Sequence, residues 1–319
     1  MALSSQSPTL GVTQQVWSFG SPDFPQKDSQ NRLSATTAPP LSVVYFIVLR
    51  VNCCFAIKNT NLLMNPLAQA DLTDIRLVAT DMDGTLTKQG KFTKDLLDAL
   101  EALQQAQIPV VIVTGRSAGW VDAVANYLPV VGAIAENGGL FFHNQQQTRE
   151  LLGEVADLAT DITTHRQKLA QVWHQLETKF PRIQESTDNT FRLTDWTFDI
   201  GDLTISELEQ MAVICQQARM GFTYSTVQCH IKPAQQEKAI ALQQVLTTYF
   251  PDLTAEQVVT VGDSPNDESL FNPSYFPVSV GVANIKHYSD RLDYQPTYIT
   301  KATEVSGFGE LASQLISSQ

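Results

Sequence analysis

Two aspartates stand two positions apart in the run Asp81-Met82-Asp83-Gly84-Thr85. Two carboxylates this close in a tight glycine turn favour a cation beside them, because otherwise they repel each other. Magnesium suits such a site, since it prefers carboxylate oxygens and retains several waters. One aspartate can attack phosphorus to form an aspartyl-phosphate, while a second carboxyl transfers a proton. The alternatives are a solvated acidic turn and a calcium loop, although an EF-hand needs its glycine at the sixth position and Gly84 is fourth.

A second run, Thr114-Gly115-Arg116, offers a hydroxyl and backbone amides, which are natural donors to a phosphate group. Lys238 can neutralise a phosphate and a nucleophile as a point charge, and Lys232 and Arg116 compete for the same role. Each feature also has an ordinary structural explanation, since Thr-Gly turns and solvated lysines are common. We therefore treat these residues as candidates for phosphate binding.

A further acidic run, Gly262-Asp263-Ser264-Pro265-Asn266-Asp267, brings two more carboxylates into one loop. Asp263 can complete a magnesium site, and Asp267 can hold either Lys238 or a metal-bound water in place. The alternative is a polar loop without a chemical role.

Apolar runs that are typical of buried strands precede most of these features. Such strands, separated by helices, predict a parallel sheet that is covered on both faces. In such sheets the reactive groups lie beyond the carboxyl ends of the strands, which is where Asp81 and Thr114 fall. The first half of this pattern consists of predicted strands at 75–80, 109–113 and 130–135 and helices at 93–105 and 119–127.

The alternation of apolar strands and helices stops after His143 and resumes near residue 235. Between these points we predict helices at 154–179 and 204–219 and more polar strands at 191–200 and 222–231. A helix at 235–249 and strands at 258–261 and 278–282 then follow. The pattern predicts a split α/β core, at 70–143 and 233–319, with an α+β insertion at 144–232.

Residues 1–63 differ from the rest of the chain, and we expect a poorly ordered N-terminal extension there. Residues 1–40 are rich in Ser, Thr, Gln and Pro, and the apolar run at 41–57 is interrupted by Arg50 and Asn52. This run fits neither a spanning helix nor a secretory signal well. We favour Met64 as the true start, with a disordered tail and a membrane anchor as alternatives.

The composition narrows the possible partners. The net charge of −12 argues against nucleic acid and anionic membranes, which bind basic patches. It does not exclude an anionic substrate, because a cation and a few basic groups can reverse the local field. The four cysteines form no zinc-type pair or disulfide framework, which favours free thiols in a cytoplasmic protein.

The four features together resemble the haloacid dehalogenase (HAD) superfamily of phosphohydrolases, and specifically its Cof-type branch, subfamily IIB. Asp81 to Thr85 resembles the first motif of that family, Val113 to Arg116 the second, Lys238 the third, and Gly262 to Asp267 the fourth. The resemblance runs from about Ile75 to the C-terminus. It implies a Rossmann-like parallel-sheet α/β core with an inserted α+β cap domain. One departure is Gln235-Gln236-Glu237, where the family often has a glycine-containing turn.

The resemblance also implies a role for each matching residue. Asp81 would be the nucleophile and Asp83 the general acid and base. Magnesium would be held by Asp81, the backbone carbonyl of Asp83, and Asp263, with Asp267 as a supporting carboxylate near the metal. Phosphate would be bound by Thr114, Gly115, Lys238 and Asn266. A mobile cap would exclude water, and its substrate-contacting candidates, which lie near predicted strand ends, are Arg192, Asp195, His230 and Lys232.

The leading hypothesis is a magnesium-dependent phosphatase for a small phosphorylated metabolite, either a sugar phosphate or a sugar-acid phosphate. A phosphotransferase of the phosphomannomutase type is an alternative, because it shares the first motif. Mannosyl-3-phosphoglycerate phosphatases have a similar Ser-Pro-Asn-Asp run, which suggests one specific substrate. A receiver-like signalling domain is disfavoured by the long insertion. The sequence leaves open whether the protein is a monomer or a homodimer.

Overall fold

The structure is a computed structural model that describes residues 64–144, 146, 148–153, 162–225 and 227–319. The predictions for residues 1–63, and the first part of the helix predicted at 154–179, lie outside these ranges. The strands are β1 (Asn65–Pro66), β2 (Leu77–Thr80), β3 (Val110–Val113), β4 (Gly132–Ala135), β5 (Leu140–His143), β6 (Thr148–Leu151), β7 (Trp196–Asp199), β8 (Met220–Tyr224), β9 (Gln228–Pro233), β10 (Val258–Gly262), β11 (Val278–Gly281) and β12 (Tyr298–Ile299). The helices are α1 (Lys94–Gln105), α2 (Ala118–Tyr127), α3 (Ile162–Lys179), α4 (Ile205–Gln217), α5 (Lys238–Tyr249), α6 (Glu268–Phe271) and α7 (Glu304–Ser318).

A nine-stranded sheet forms the centre of the core, in the order β1-β12-β11-β10-β2-β3-β4-β5-β6. In this spatial order, every neighbouring pair of strands from β1 at the edge through to β4 is parallel. The side chains of β2 alternate between two apolar clusters, since Val78 packs on the side of α1, α2 and α7 while Leu77 and Ala79 pack on the side of α5 and α6. Burial on both faces explains why the central strands are almost wholly apolar.

The last two strands of this sheet place the core boundary later than we predicted. β5 pairs antiparallel with β4, and β6 pairs antiparallel with β5. The large sheet therefore continues to Leu151, beyond the boundary at 143. The sequence gives no apolar strand pattern here, because β6 is a mostly exposed edge strand of polar residues.

The inserted region has its own antiparallel sheet, in the order β7-β9-β8, and a separate apolar core that includes Trp173, Phe198 and Met211. The single strand predicted at 222–231 is wrong, because β8 and β9 form a hairpin that turns between Tyr224 and Gln228. The strand predicted at 191–200 begins only at Trp196, since Thr187–Phe191 forms a short 3-10 helix. The Rossmann-like α/β core with an inserted α+β cap is confirmed.

The topology brings the candidate motifs to one edge of the large sheet. β10, β2 and β3 are adjacent and parallel, so their carboxyl ends lie side by side. Asp263 follows β10, Asp81 follows β2, and Thr114 follows β3. Within the described residues, no helix combines the length and the apolar character that crossing a membrane requires.

Candidate active site

Three carboxylates and one lysine meet at this edge. Asp81, Asp263 and Asp267 are buried, and each has a carboxylate oxygen within 4.8 Å of the others. Lys238 is the first residue of α5, and its Nζ lies 2.5 Å from Asp81 Oδ1 and 2.6 Å from Asp267 Oδ1. The lysine that competes for this role, Lys232, lies elsewhere and donates to the carbonyl oxygen of Gln236. The chain thus places Lys238 between the first and fourth motifs.

The buried charges of this cluster are not balanced by the protein alone. Burial raises the pKa of Asp81 to about 7, with a further increase from the charge of Asp267 that Lys238 opposes. Burial also raises the pKa of Asp263 well above its usual range, and the charges of Asp81 and Asp267 add to this effect. Burial acts to lower the pKa of Lys238, but Asp267 and Asp81 outweigh it and raise that pKa. The site is therefore short of positive charge.

A small divalent cation fits this donor set. Asp267 is already engaged, because its Oδ2 accepts from the backbone amides of Asp263 and Ser264 while its Oδ1 accepts from Lys238. Asp81 Oδ2, by contrast, receives no hydrogen bond from the residues that the structure describes. Gly84 closes the other side, where an added Cβ would lie 2.9 Å from Asp263 Cγ. Buried carboxylate oxygens around a space this confined are the donors that magnesium prefers.

Asp83 points to a different partner from Asp81. Its carboxylate accepts two hydrogen bonds from Arg116, from Nε at 2.8 Å and from Nη2 at 2.6 Å. Charge and hydrogen bonding from Asp83 raise the pKa of Arg116, against the effect of burial. The paired side chains are 30% and 20% exposed, so Asp83 lies at the mouth of the site. The two aspartates of the first motif thus bind different cations, since Asp81 contacts Lys238 and Asp83 contacts Arg116.

Three of the phosphate-binding candidates, Thr114, Gly115 and Asn266, line a small cavity, whereas Lys238 does not. Core residues that line it are Asp81, Asp83, Thr114, Gly115, Arg116, Ser264 and Asn266, and cap residues that line it are Ser225, Val227, Gln228 and His230. The space measures about 280 Å³, but only about 20 Å³ of it admits the centre of a water molecule. That is room for about one water. The cap is therefore closed tightly over the motifs.

The structure separates the cap candidates into two groups. His230 lines the cavity, whereas Arg192 does not. The Arg192 guanidinium is fully buried and donates to the carbonyl oxygen of Gly115 at 3.0 Å and to both oxygens of Asp195 at 3.0 Å. Asp195 Oδ2 in turn lies 2.8 Å from Nδ1 of His230. Arg192 and Asp195 thus stand behind His230, and Arg192 connects the cap to the loop that carries Gly115.

Sequence reasoning missed three polar residues that hold the site together. Glu136 accepts from the backbone amides of Ala118 and Thr194, which joins the core to the cap. Asn137 accepts a hydrogen bond from Asn266 at 3.1 Å. Asn284 donates to Asp263 Oδ2 at 2.8 Å and to the carbonyl oxygen of Gly84 at 3.0 Å. All three follow the carboxyl ends of parallel strands, and this position is the signal in the sequence that could have identified them as site residues.

Comparison with known proteins agrees with this geometry. A family described as haloacid dehalogenase-like hydrolase matches residues 78–169. Phosphoglycolate phosphatase 1 of Saccharolobus solfataricus is 27% identical over 246 residues, covering 76% of this chain and 96% of that protein. Phosphoglycolate phosphatase of Methanobrevibacter smithii is 26% identical over 256 residues, covering 76% and 99% respectively.

Solved structures share the fold. The protein designated 0175 of Thermoplasma acidophilum superposes with a TM-score of 0.59 at 19% identity, covering 77% of this chain and 99% of that one. The sucrose-phosphatase of Synechocystis sp. PCC6803 superposes with a TM-score of 0.58 at 15% identity, covering 75% and 97%. The family match over residues 78–169, the related sequences and the shared fold all show similarity to haloacid dehalogenase-like hydrolases.

Proposed function

We propose that this protein is a magnesium-dependent phosphatase that hydrolyses a small phosphorylated carboxylic acid through an aspartyl-phosphate on Asp81. The observation that carries the proposal is the bridge from Lys238 to Asp81 and Asp267, inside a cluster of three buried carboxylates of which Asp81 lines the cavity. This arrangement holds one oxygen of the nucleophile and leaves the other without a partner among the described residues. Buried acid and lysine groups of this kind are typical of catalytic sites.

The substrate that we favour is 2-phosphoglycolate, a two-carbon acid. The two relatives compared above are both named as phosphoglycolate phosphatases. The cavity has room for about one water, so the cap must move away from the core before any phosphorylated substrate can bind.

The chemistry begins at Asp81. One carboxylate oxygen of Asp81 forms a bond to phosphorus while the bond between phosphorus and the leaving oxygen breaks. Asp83, which lines the same cavity, gives a proton to that leaving oxygen and later takes one from the water that hydrolyses the aspartyl-phosphate. Asp83 can keep one of its two contacts with Arg116 while its other carboxyl oxygen reaches the leaving oxygen, and its partial exposure allows this.

The remaining residues bind the phosphate and balance its charge. The Thr114 hydroxyl, the Gly115 backbone amide and the Asn266 side chain line the cavity and can donate to phosphate oxygens. Lys238 fixes Asp81 and offsets part of the negative charge. Magnesium, held by Asp81, Asp263 and the carbonyl of Asp83, would offset the charge that remains between the carboxylates and the phosphate.

Release of inorganic phosphate from a panel of substrates, with and without magnesium, tests the proposal. The panel contains 2-phosphoglycolate, 3-phosphoglycerate and hexose phosphates, and the full chain is compared with Asp81→Asn and with the exposed control Asp252→Asn. We expect release from 2-phosphoglycolate that requires magnesium, that is lost in Asp81→Asn and that is retained in the control. Undiminished release by purified Asp81→Asn would refute the nucleophile. Formation of a phosphate isomer without release would instead indicate a phosphotransferase.

A further inference from the structure

His230 lines the catalytic cavity, and one of its ring nitrogens has no hydrogen-bond partner among the described residues. The residue lies in the middle of β9, between Thr197 of β7 and Thr223 of β8, and is almost completely buried. Its Nδ1 lies 2.8 Å from Asp195 Oδ2. Burial acts to raise the pKa of Asp195, but the charge of Arg192 and the bond from His230 outweigh it and lower that pKa. Because Asp195 is therefore a carboxylate, Nδ1 carries the hydrogen, and Nε2 is the nitrogen left for a ligand.

The other polar groups of the cap side of the cavity are already engaged. The amide of Gln228 accepts from Arg192 at 2.9 Å and donates to Asp188 at 3.2 Å. Ser225 Oγ accepts from the backbone amides of Val227 and Gln228. Nε2 of His230 has no hydrogen-bond partner among the described residues, although the residue lines the cavity. His230 is thus the cap residue best placed to contact a substrate.

The cations of the core side are also occupied. Arg116 is bound through two nitrogens by Asp83, and Lys238 bridges Asp81 and Asp267. A carboxylate that entered this closed space without a positive partner would carry a large desolvation cost. Two of the described residues that line the cavity can carry a positive charge, Arg116 and His230. Arg116 is already bound by Asp83, whereas Nε2 of His230 has no carboxylate partner among the described residues.

We propose that His230, oriented by Asp195 and Arg192, recognises a carboxylate on the leaving group of the substrate and takes up a proton as the substrate binds. This inference rests on the proposed phosphatase function and names the group that selects its substrate. Binding would complete a line of alternating charges: the Arg192 guanidinium, the Asp195 carboxylate, the His230 imidazolium and the substrate carboxylate. In this line each buried charge has an opposite neighbour.

The surroundings of His230 set the direction of the pH effect. Burial lowers the pKa of His230, Asp195 acts to raise it, and the charges of Arg192 and Lys238 lower it further. The imidazole of the free protein is therefore neutral at neutral pH. A bound carboxylate adds a negative charge and favours the protonated form. Recognition of the carboxylate should weaken as pH rises, because the proton then becomes harder to supply.

Two substrates of similar size isolate the carboxylate. They are 2-phosphoglycolate and 2-hydroxyethyl phosphate, which differ in whether the far end is an anion or an alcohol. The main variant is His230→Asn, whose amide can still donate to Asp195 but has no nitrogen at the Nε2 position. His230→Gln is the second variant, and His174→Gln, which alters an exposed histidine, is the matched control.

We expect the wild-type preference for 2-phosphoglycolate, measured as the ratio of the two kcat/KM values, to fall by about 10- to 100-fold in His230→Asn. The control should keep the ratio. The wild-type ratio should also decrease as pH rises, whereas the ratio of the variant should not follow pH in this way. A merely structural role for His230 would lower both kcat/KM values together and leave their ratio unchanged.

A binding measurement keeps the inference testable without turnover. The chain has five histidines, so ¹³Cε1-histidine labelling of the Asp81→Asn protein gives a spectrum in which His230 can be assigned by substitution. Adding 2-phosphoglycolate with magnesium should move the His230 signal toward its protonated position, and 2-hydroxyethyl phosphate should not. An unmoved signal, or an unchanged substrate ratio with phosphate release intact, would overturn the inference alone. Absence of phosphate release from every substrate would overturn the proposed function, and the spectrum would still decide the role of His230.

Discussion

Replacing Asp81 by asparagine should stabilise the metal-free protein at alkaline pH while abolishing turnover. The pKa of Asp81 rises from 3.8 to about 7 on folding, mainly through burial. The folded state therefore binds this proton more tightly than the unfolded state does, and the free energy of unfolding falls as pH rises from about 4 to about 7. At about 1.4 kcal/mol for each pH unit, ionised Asp81 costs about 4 kcal/mol at pH values above this window.

Asparagine resembles the protonated acid and removes most of that cost, because the pKa of about 7 already includes the stabilisation that Lys238 gives to the carboxylate. We therefore expect a gain of up to about 4 kcal/mol for Asp81→Asn at about pH 8 in a chelator, shrinking toward about pH 4. Urea unfolding followed by circular dichroism measures this gain, with the exposed Asp252→Asn as control. Equal or lower stability of Asp81→Asn at alkaline pH, with the same pH slope as the wild type, would refute the reasoning.

Three further substitutions test separate parts of the structure. Gly84→Ala should weaken magnesium binding by about 10-fold or more in calorimetry, because Gly84 has a φ of +80° and its added Cβ would press on Asp263. Glu136→Gln should lower the free energy of unfolding by about 1–3 kcal/mol, because an acceptor that faces the amide and hydroxyl of Thr194 is weakened, and Glu177→Gln is the exposed control. Thr204→Ala should cost about 1 kcal/mol in the cap through loss of the capping box of α4, and Thr204→Ser should restore most of it.

The strand ends of the catalytic edge could be predicted because apolar periodicity and topology act together. The strands before Asp81, Thr114 and Asp263 are short, apolar and separated by helices, and a parallel sheet then places their carboxyl ends together. Lys238 was one candidate among several, and the deciding fact is that α5 begins at this residue with its side chain directed at Asp81. A helix start is among the least predictable features of a sequence.

The pairings between distant side chains could not be predicted. Arg116 lies far from Asp83 in the sequence, and nothing in either motif indicates that one binds the other. Arg192 was predicted to contact the substrate, but it lies behind His230, because the 3-10 turn at Thr187–Phe191 directs it into the cap. Irregular segments of this kind carry no hydrophobic period, so a sequence gives little indication of where their side chains point.

The charge of the site reconciles an acidic chain with an anionic substrate. The four carboxylates of the first and fourth motifs face two protein cations, Lys238 and Arg116, among the described residues that contact them. Two negative charges are left over, which is the charge that one divalent cation cancels. Without that cation, the excess negative charge raises the pKa values of Asp81 and Asp263, so these carboxylates bind protons more readily. An acidic cluster of this kind therefore repels phosphate when it is metal-free and accepts phosphate when magnesium is bound, so the net charge of −12 does not oppose the proposed activity.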